Sequence, residues 1–129
     1  MAWDTRRVPE NHDAIAPDGS EIRLLPELGR GGMAHCRLAP GAVTRPVRHR
    51  TVDELWLCLS GAGQLWRGRD DVQEIVDLEP HVAVSIPVGV SFQFRAAGDQ
   101  PLELVIVTMP PWPGQAEAVQ VEGAWPPRI

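Results

Sequence analysis

Lysine and tyrosine are absent from this 129-residue sequence, phenylalanine occurs twice, and cysteine only at Cys36 and Cys58. Without lysine there is no Schiff-base chemistry, and without tyrosine no phenol to act as acid, base or nucleophile. Each cysteine sits inside a strand-like run, so both are expected as buried free thiols in a reducing compartment. A hydrophobic run of membrane-spanning length is missing. The opening MAWDTRRVPE follows Arg6-Arg7 with Val8-Pro9 where a secretion signal needs an apolar stretch, so a cytoplasmic location is expected. Excess positive charge is missing as well. Twelve basic residues, all arginine, face seventeen acidic ones for a net charge of −5, which provides no field toward phosphate or anionic lipid. Neither nucleic acid nor membrane is expected as a partner.

What is present is a regular beat of short apolar runs and turn residues. Strands are expected at EIRLL (21–25), MAHCRLA (33–39), DELWLCLS (53–60), GQLWR (63–67), QEIVDL (73–78), VAVSIP (82–87), VSFQFR (90–95) and LELVIVTM (102–109). Gly, Pro and Asp cluster between them, and strands recurring at this spacing indicate an all-β sandwich or closed barrel. No stretch carries a helical stripe, which disfavours an α/β fold. Residues 1–20, broken by Pro9, Pro17 and Gly19, read as an N-terminal arm, and 21–109 as the barrel. Residues 110–129 hold too much proline for a core strand, yet they keep Trp112 and Trp125. Such a tail is expected to pack on the barrel or on a partner.

The run DELWLCLS is apolar on both faces. Leu55, Leu57 and Leu59 alternate with Glu54, Trp56, Cys58 and Ser60, so one face should line an interior while the other is covered by a second sheet or subunit. A homodimer is expected on that ground.

Residues 41–61 resemble the first motif of the cupin superfamily: a glycine, five residues, His-x-His, three or four residues, a glutamate, six residues and a glycine. Gly41, His49, Glu54 and Gly61 stand in place, while Val47 replaces the first histidine. Residues 87–95 are similar to the second motif at Pro87 and Gly89, with Phe92 in its histidine position; Ala96 and His81 replace its asparagine and leading glycine. The resemblance implies a jelly-roll barrel (a double-stranded β-helix) with a small-molecule pocket, often dimeric through exchanged N-terminal arms. It also implies a divalent transition metal on three histidines and a glutamate, of which this chain keeps His49 and Glu54. Two protein ligands fall short of the three that catalytic zinc or iron sites keep.

Those two residues are the candidate catalytic pair. Strand alternation puts Glu54 in an apolar interior, where desolvation raises a carboxyl's pKa and equips it for acid–base work. Val47, Trp56, Cys58, Phe92 and Phe94 are expected to line the pocket, and His35 would join them as a third ligand if its face of MAHCRLA turns inward. Three readings follow. The first is metal-independent proton-transfer chemistry: isomerisation, elimination, dehydration or cyclisation. The second is a metal-dependent cupin such as a dioxygenase completed by His35, and the third a non-catalytic ligand-binding module.

Overall fold

Strand pairing begins in the N-terminal arm and ends in the proline-rich tail. A computed structural model describes residues 3–129; the first two residues of the expected arm lie outside the described residues. The strands are β1 (Ala14–Ile15), β2 (Glu21–Leu28), β3 (Gly31–Leu38), β4 (Val47–His49), β5 (Asp53–Ser60), β6 (Gly63–Arg69), β7 (Val72–Leu78), β8 (Ala83–Ile86), β9 (Ser91–Ala96), β10 (Leu102–Met109) and β11 (Ala118–Gln120). A six-stranded sheet runs β1-β2-β3-β10-β5-β8 and a five-stranded sheet runs β11-β4-β9-β6-β7. All recorded strand pairs are antiparallel, as in an all-β jelly roll. No helix of the described residues is long and apolar enough to cross a membrane.

Period-two burial drives the closure. In β5, Glu54, Trp56 and Cys58 are buried while Leu55, Leu57 and Leu59 remain 48%, 40% and 43% exposed. In β10, Leu102, Leu104, Ile106 and Thr108 are buried in the same rhythm. These side chains meet Leu65, Leu78, Ile86, Phe92 and Phe94 in one core between the sheets. Gly61 is required at its turn: its φ of 80° suits glycine, and a Cβ there would stand 2.2 Å from the Pro101 carbonyl oxygen.

Three departures from the sequence pattern have local causes. β2 runs on past Pro26 because its register against β3 shifts between Leu24 and Glu27, which tolerates the missing N–H. β4 is only three residues long, too short for a periodic signal. Phe92, Gln93 and Phe94 are all buried on β9, where alternation would leave Gln93 wet. The tail supplies the explanation. Gln93 Nε2 donates to the carbonyls of Thr44 and Trp125, and its Oε1 accepts from the amides of Ala124 and Trp125. That saturates the side-chain amide and pins residues 124–125 to the barrel. Arg95 stacks 4.0 Å over the Trp125 ring beside it.

Candidate functional site

β4 and β5 bring the candidate pair to one end of the barrel. β4 lies between β11 and β9, with Ala118 opposite His49 and Val47 opposite Phe92. Val47 and His49 turn inward while Arg48 between them is exposed. Glu54 enters from the other sheet, flanked by Thr108 of β10 and Ile86 of β8. His49 Nδ1 stands 3.7 Å from Glu54 Oε2, and the two residues are 5% and 6% exposed. The Trp56 indole N–H donates to Glu54 Oε1 at 2.7 Å. The imidazole edge meets Phe92 and Trp112, each with ring centroids 5.2 Å away. Trp56 in turn packs on Phe92 and Phe94.

The environment decides where the proton rests. Burial pushes the Glu54 carboxyl up to about 8; the Trp56 hydrogen bond opposes this and the nearby Asp18 adds to it. Burial lowers His49, against a smaller opposing pull from Glu117. At neutral pH the pair is therefore a protonated acid beside a neutral base, not an ion pair. His49 Nδ1 is buried without a hydrogen-bond partner. At 3.7 Å it is about 1 Å beyond a hydrogen bond to the carboxyl.

The remaining pocket candidates divide. Val47, Trp56, Cys58, Phe92 and Phe94 all belong to the interior core. The Cys58 thiol donates to the Ser60 carbonyl and burial raises its pKa, so it is no nucleophile. His35 is a correction. Cys36 and Leu38 are the inward residues of β3, which turns His35 to the outer face of the sheet, opposite Arg23 and Val105. There its Nε2 lies 3.2 Å from Glu103 Oε1, and the sheet separates it from His49. It is buried because Arg23 beside it donates to the carbonyls of Pro9 and Glu10, which draws the N-terminal arm across this face.

Two contributors to the site come from the C-terminal tail. Trp112 follows Met109 at the end of β10 and folds over the His49 end of the barrel. Glu117 fastens that segment, accepting from the Thr51 amide and hydroxyl, while the Arg50 guanidinium holds the Ala116 carbonyl. The tail's two tryptophans pointed to packing on the barrel, but nothing in its composition placed Trp112 at His49 or singled out Glu117. Two surface grooves, one along Leu38–Ala42 and Arg128, the other along Pro46 and Gln120–Pro127, do not reach the pair. Approach to His49 and Glu54 passes the half-buried Trp112.

The metal implied by the cupin motifs does not fit this donor set. Among the described residues no three His, Cys, Asp or Glu side chains converge as ligands. Val47 and Phe92 are paired directly across β4 and β9 and offer no lone pair. Glu54 Oε1 is already engaged by the Trp56 indole N–H.

Two facing antiparallel sheets with the site at one end define a double-stranded β-helix. The cupin domain family model matches residues 34–108, and the chain belongs to that family. It is 29% identical over 86 residues to the xanthan biosynthesis protein XanB of Xanthomonas campestris pv. campestris, spanning 67% of this chain and 18% of XanB. The chain thus corresponds to about a fifth of that relative's length. Among solved structures, the capsular polysaccharide assembling protein CapF of Staphylococcus aureus superposes with a TM-score of 0.72 at 21% identity, over 92% of this chain and 35% of CapF. An uncharacterised Klebsiella pneumoniae protein with a double-stranded β-helix domain gives 0.66 at 17% identity, over 81% of this chain and 85% of its own.

Proposed function

We propose that the barrel carries out metal-independent proton transfer on a small carbonyl compound, with Glu54 as acid and His49 as base. One observation carries this reading: a buried carboxyl and an unpartnered imidazole nitrogen stand 3.7 Å apart among the rings of Phe92, Trp112 and Trp56. An imidazole kept neutral by burial can take a proton from a carbon beside a carbonyl, and Glu54 Oε2 can deliver one to the carbonyl oxygen. The step leaves Nδ1–H⁺ facing Oε2⁻, whose charges stabilise one another in the low-dielectric interior. Return of that proton resets the pair, so the cycle consumes nothing. Isomerisation, elimination, dehydration and cyclisation share this opening step. Relatives in xanthan biosynthesis and capsular polysaccharide assembly favour sugar-like substrates.

The test is deuterium incorporation from D₂O into a panel of aldoses, ketoses and uronic acids, followed by proton NMR. The wild type is expected to exchange a carbonyl-adjacent hydrogen in at least one compound, and His49→Ala and Glu54→Gln each to slow this by about a hundredfold or more. Exchange that survives in both variants contradicts the assignment.

We further propose that the chain is a homodimer joined through the outer face of the larger sheet. Leu55, Leu57, Leu59 and Met33 are all at least 40% exposed there, and Leu57 and Leu55 pair with Val105 and Val107 to form one apolar surface. Leu57→Asp is expected to convert a sedimenting dimer to monomer; a wild type that sediments as monomer at all concentrations overturns this.

A further inference from the structure

The inner surface of the smaller sheet carries an arginine whose own packing leaves it half satisfied. Val47 of β4 stands opposite Phe92 of β9, Phe92 opposite Arg67 of β6, and Arg67 opposite Glu74 of β7. Residues directly opposite on antiparallel strands share a face, so Arg67 lies on the face of Phe92, whose ring meets His49 at 5.2 Å. Alternation agrees, since Leu65, two residues earlier on β6, is wholly buried in the core. The guanidinium crosses to the other sheet, where Nη1 donates to the Ser85 carbonyl at 2.7 Å. Ser85 precedes Ile86, the residue opposite Glu54. The cation is therefore set beside the ring that backs His49 and the strand that backs Glu54. Its own bonds go to Ser85 and Glu74, not to the Glu54 carboxyl.

Nε–H and one Nη2–H lie along one edge of a guanidinium, a fork that fits the two oxygens of a carboxylate. In Arg67 that edge is half used. Nη2 donates to Glu74 Oε1 at 2.6 Å, while Nε is buried without a hydrogen-bond partner among the described residues. The Glu74 side chain is 56% exposed, against 18% for Arg67. A carboxylate that holds one tooth of the fork and stands mostly in water is readily replaced, because an exposed ion pair adds little stability. A buried donor left without a partner calls for one.

We propose that Arg67 anchors a substrate carboxylate, which takes the Nε–Nη2 fork in place of Glu74, so that the acid–base pair acts on a carbonyl compound that is also an acid. The inference rests on the acid–base reading for the carbonyl end and names the charge carried at the other end. Arg67 sets specificity, and the Ser85 carbonyl keeps its guanidinium in place when Glu74 leaves. Glu74 is the internal competitor that holds the fork in the absence of substrate.

The probe is D-gluconate, which carries a carboxylate and hydroxyl groups but no aldehyde or ketone to react, titrated into ¹⁵N-labelled full-length protein. The Arg67 Nε–H signal, assigned by its loss in Arg67→Lys, is expected to move downfield and saturate. Arg67→Lys keeps the charge but loses the fork, and should weaken gluconate binding about tenfold or more, the scale of a hydrogen bond to a charged group. Glu74→Ala should do the reverse and tighten gluconate binding, because the competitor is gone. An ion pair with a purely structural role does not produce those opposite effects. Neutral D-glucitol should bind the wild type about tenfold more weakly than gluconate. D-glucitol 6-phosphate should also bind more weakly, since a dianion leaves one charge unmatched beside a single arginine; tighter binding of the phosphate would overturn the choice of a carboxylate. The anchor itself is overturned by any of three results: no saturable shift at Arg67, gluconate binding that Arg67→Lys leaves unchanged, or a Glu74→Ala variant that binds gluconate no more tightly than wild type. If Arg67→Lys does not fold, the comparison of wild type with Glu74→Ala still decides. The acid–base reading fails separately, through the exchange experiment with the His49 and Glu54 variants.

Discussion

Two histidine–glutamate pairs lie on opposite sides of the six-stranded sheet, and their surroundings give them different work. The outer pair, His35 and Glu103, is 3.2 Å apart; Glu103 also accepts the Ser60 hydroxyl at 2.6 Å, and its side chain is 35% exposed. Its carboxylate has water and a second donor, so the pair bridges β3 and β10 beneath the N-terminal arm. The inner pair, His49 and Glu54, is 3.7 Å apart with both side chains almost wholly buried. No cation or water-facing atom supports a charge on Glu54, and the proton stays on the carboxyl. Contact distance alone would rank the outer pair higher. Solvation reverses that ranking: both imidazoles keep a buried Nδ1 without a partner, but only the inner pair's carboxyl is cut off from water.

The largest effect that would sharpen this contrast is on stability against pH. Glu54 has its folded pKa raised from 4.5 to about 8, so its contribution is fully present below pH 4.5 and is lost as pH rises toward 8. The loss amounts to roughly 1.4 kcal/mol for each pH unit inside that window. Glu54→Gln should remove this decline and melt higher than wild type at pH 8, as measured by calorimetry across the range. If the variant's melting temperature falls with pH as steeply as the wild type's, Glu54 is not a buried neutral acid. His49 and His35 contribute with the opposite slope: burial lowers both, so their share is present above pH 6.5 and fades as pH falls through their folded values.

A smaller effect is expected on the outer side. His35→Ala should cost about 1–3 kcal/mol through lost packing and an unpaired neighbour, yet leave deuterium exchange within about twofold of wild type. Glu103→Gln, partly exposed and still able to accept from Ser60, should cost less than about 1 kcal/mol in denaturant titration. A loss of exchange in either variant would erase the distinction between the two pairs.

How much of this was legible in the sequence varies from strand to strand. The spacing from Gly41 to Gly61 and the strict alternation of DELWLCLS located His49, Glu54 and the inward Trp56. MAHCRLA is apolar in both registers, with Met33 on one face and Ala34, Cys36 and Leu38 on the other, so its inward face was undecidable until β10 paired beside it. Thr108 read as the end of an apolar run, and only its register opposite Gly32 and Glu54 makes it a polar group of the site. Trp112 and Glu117 sit among prolines without periodicity, and their placement depends on long-range bonds to Thr51 and Arg50.

The most direct measurement is the titration of the Glu54 side-chain carboxyl carbon by ¹³C NMR, assigned by comparison with Glu54→Gln. A midpoint near 8 is the result this account requires, with Glu54 protonated at neutral pH beside an uncharged His49. A midpoint near the ordinary value of 4.5 would mean an ionised carboxylate, and the acid–base assignment would be wrong.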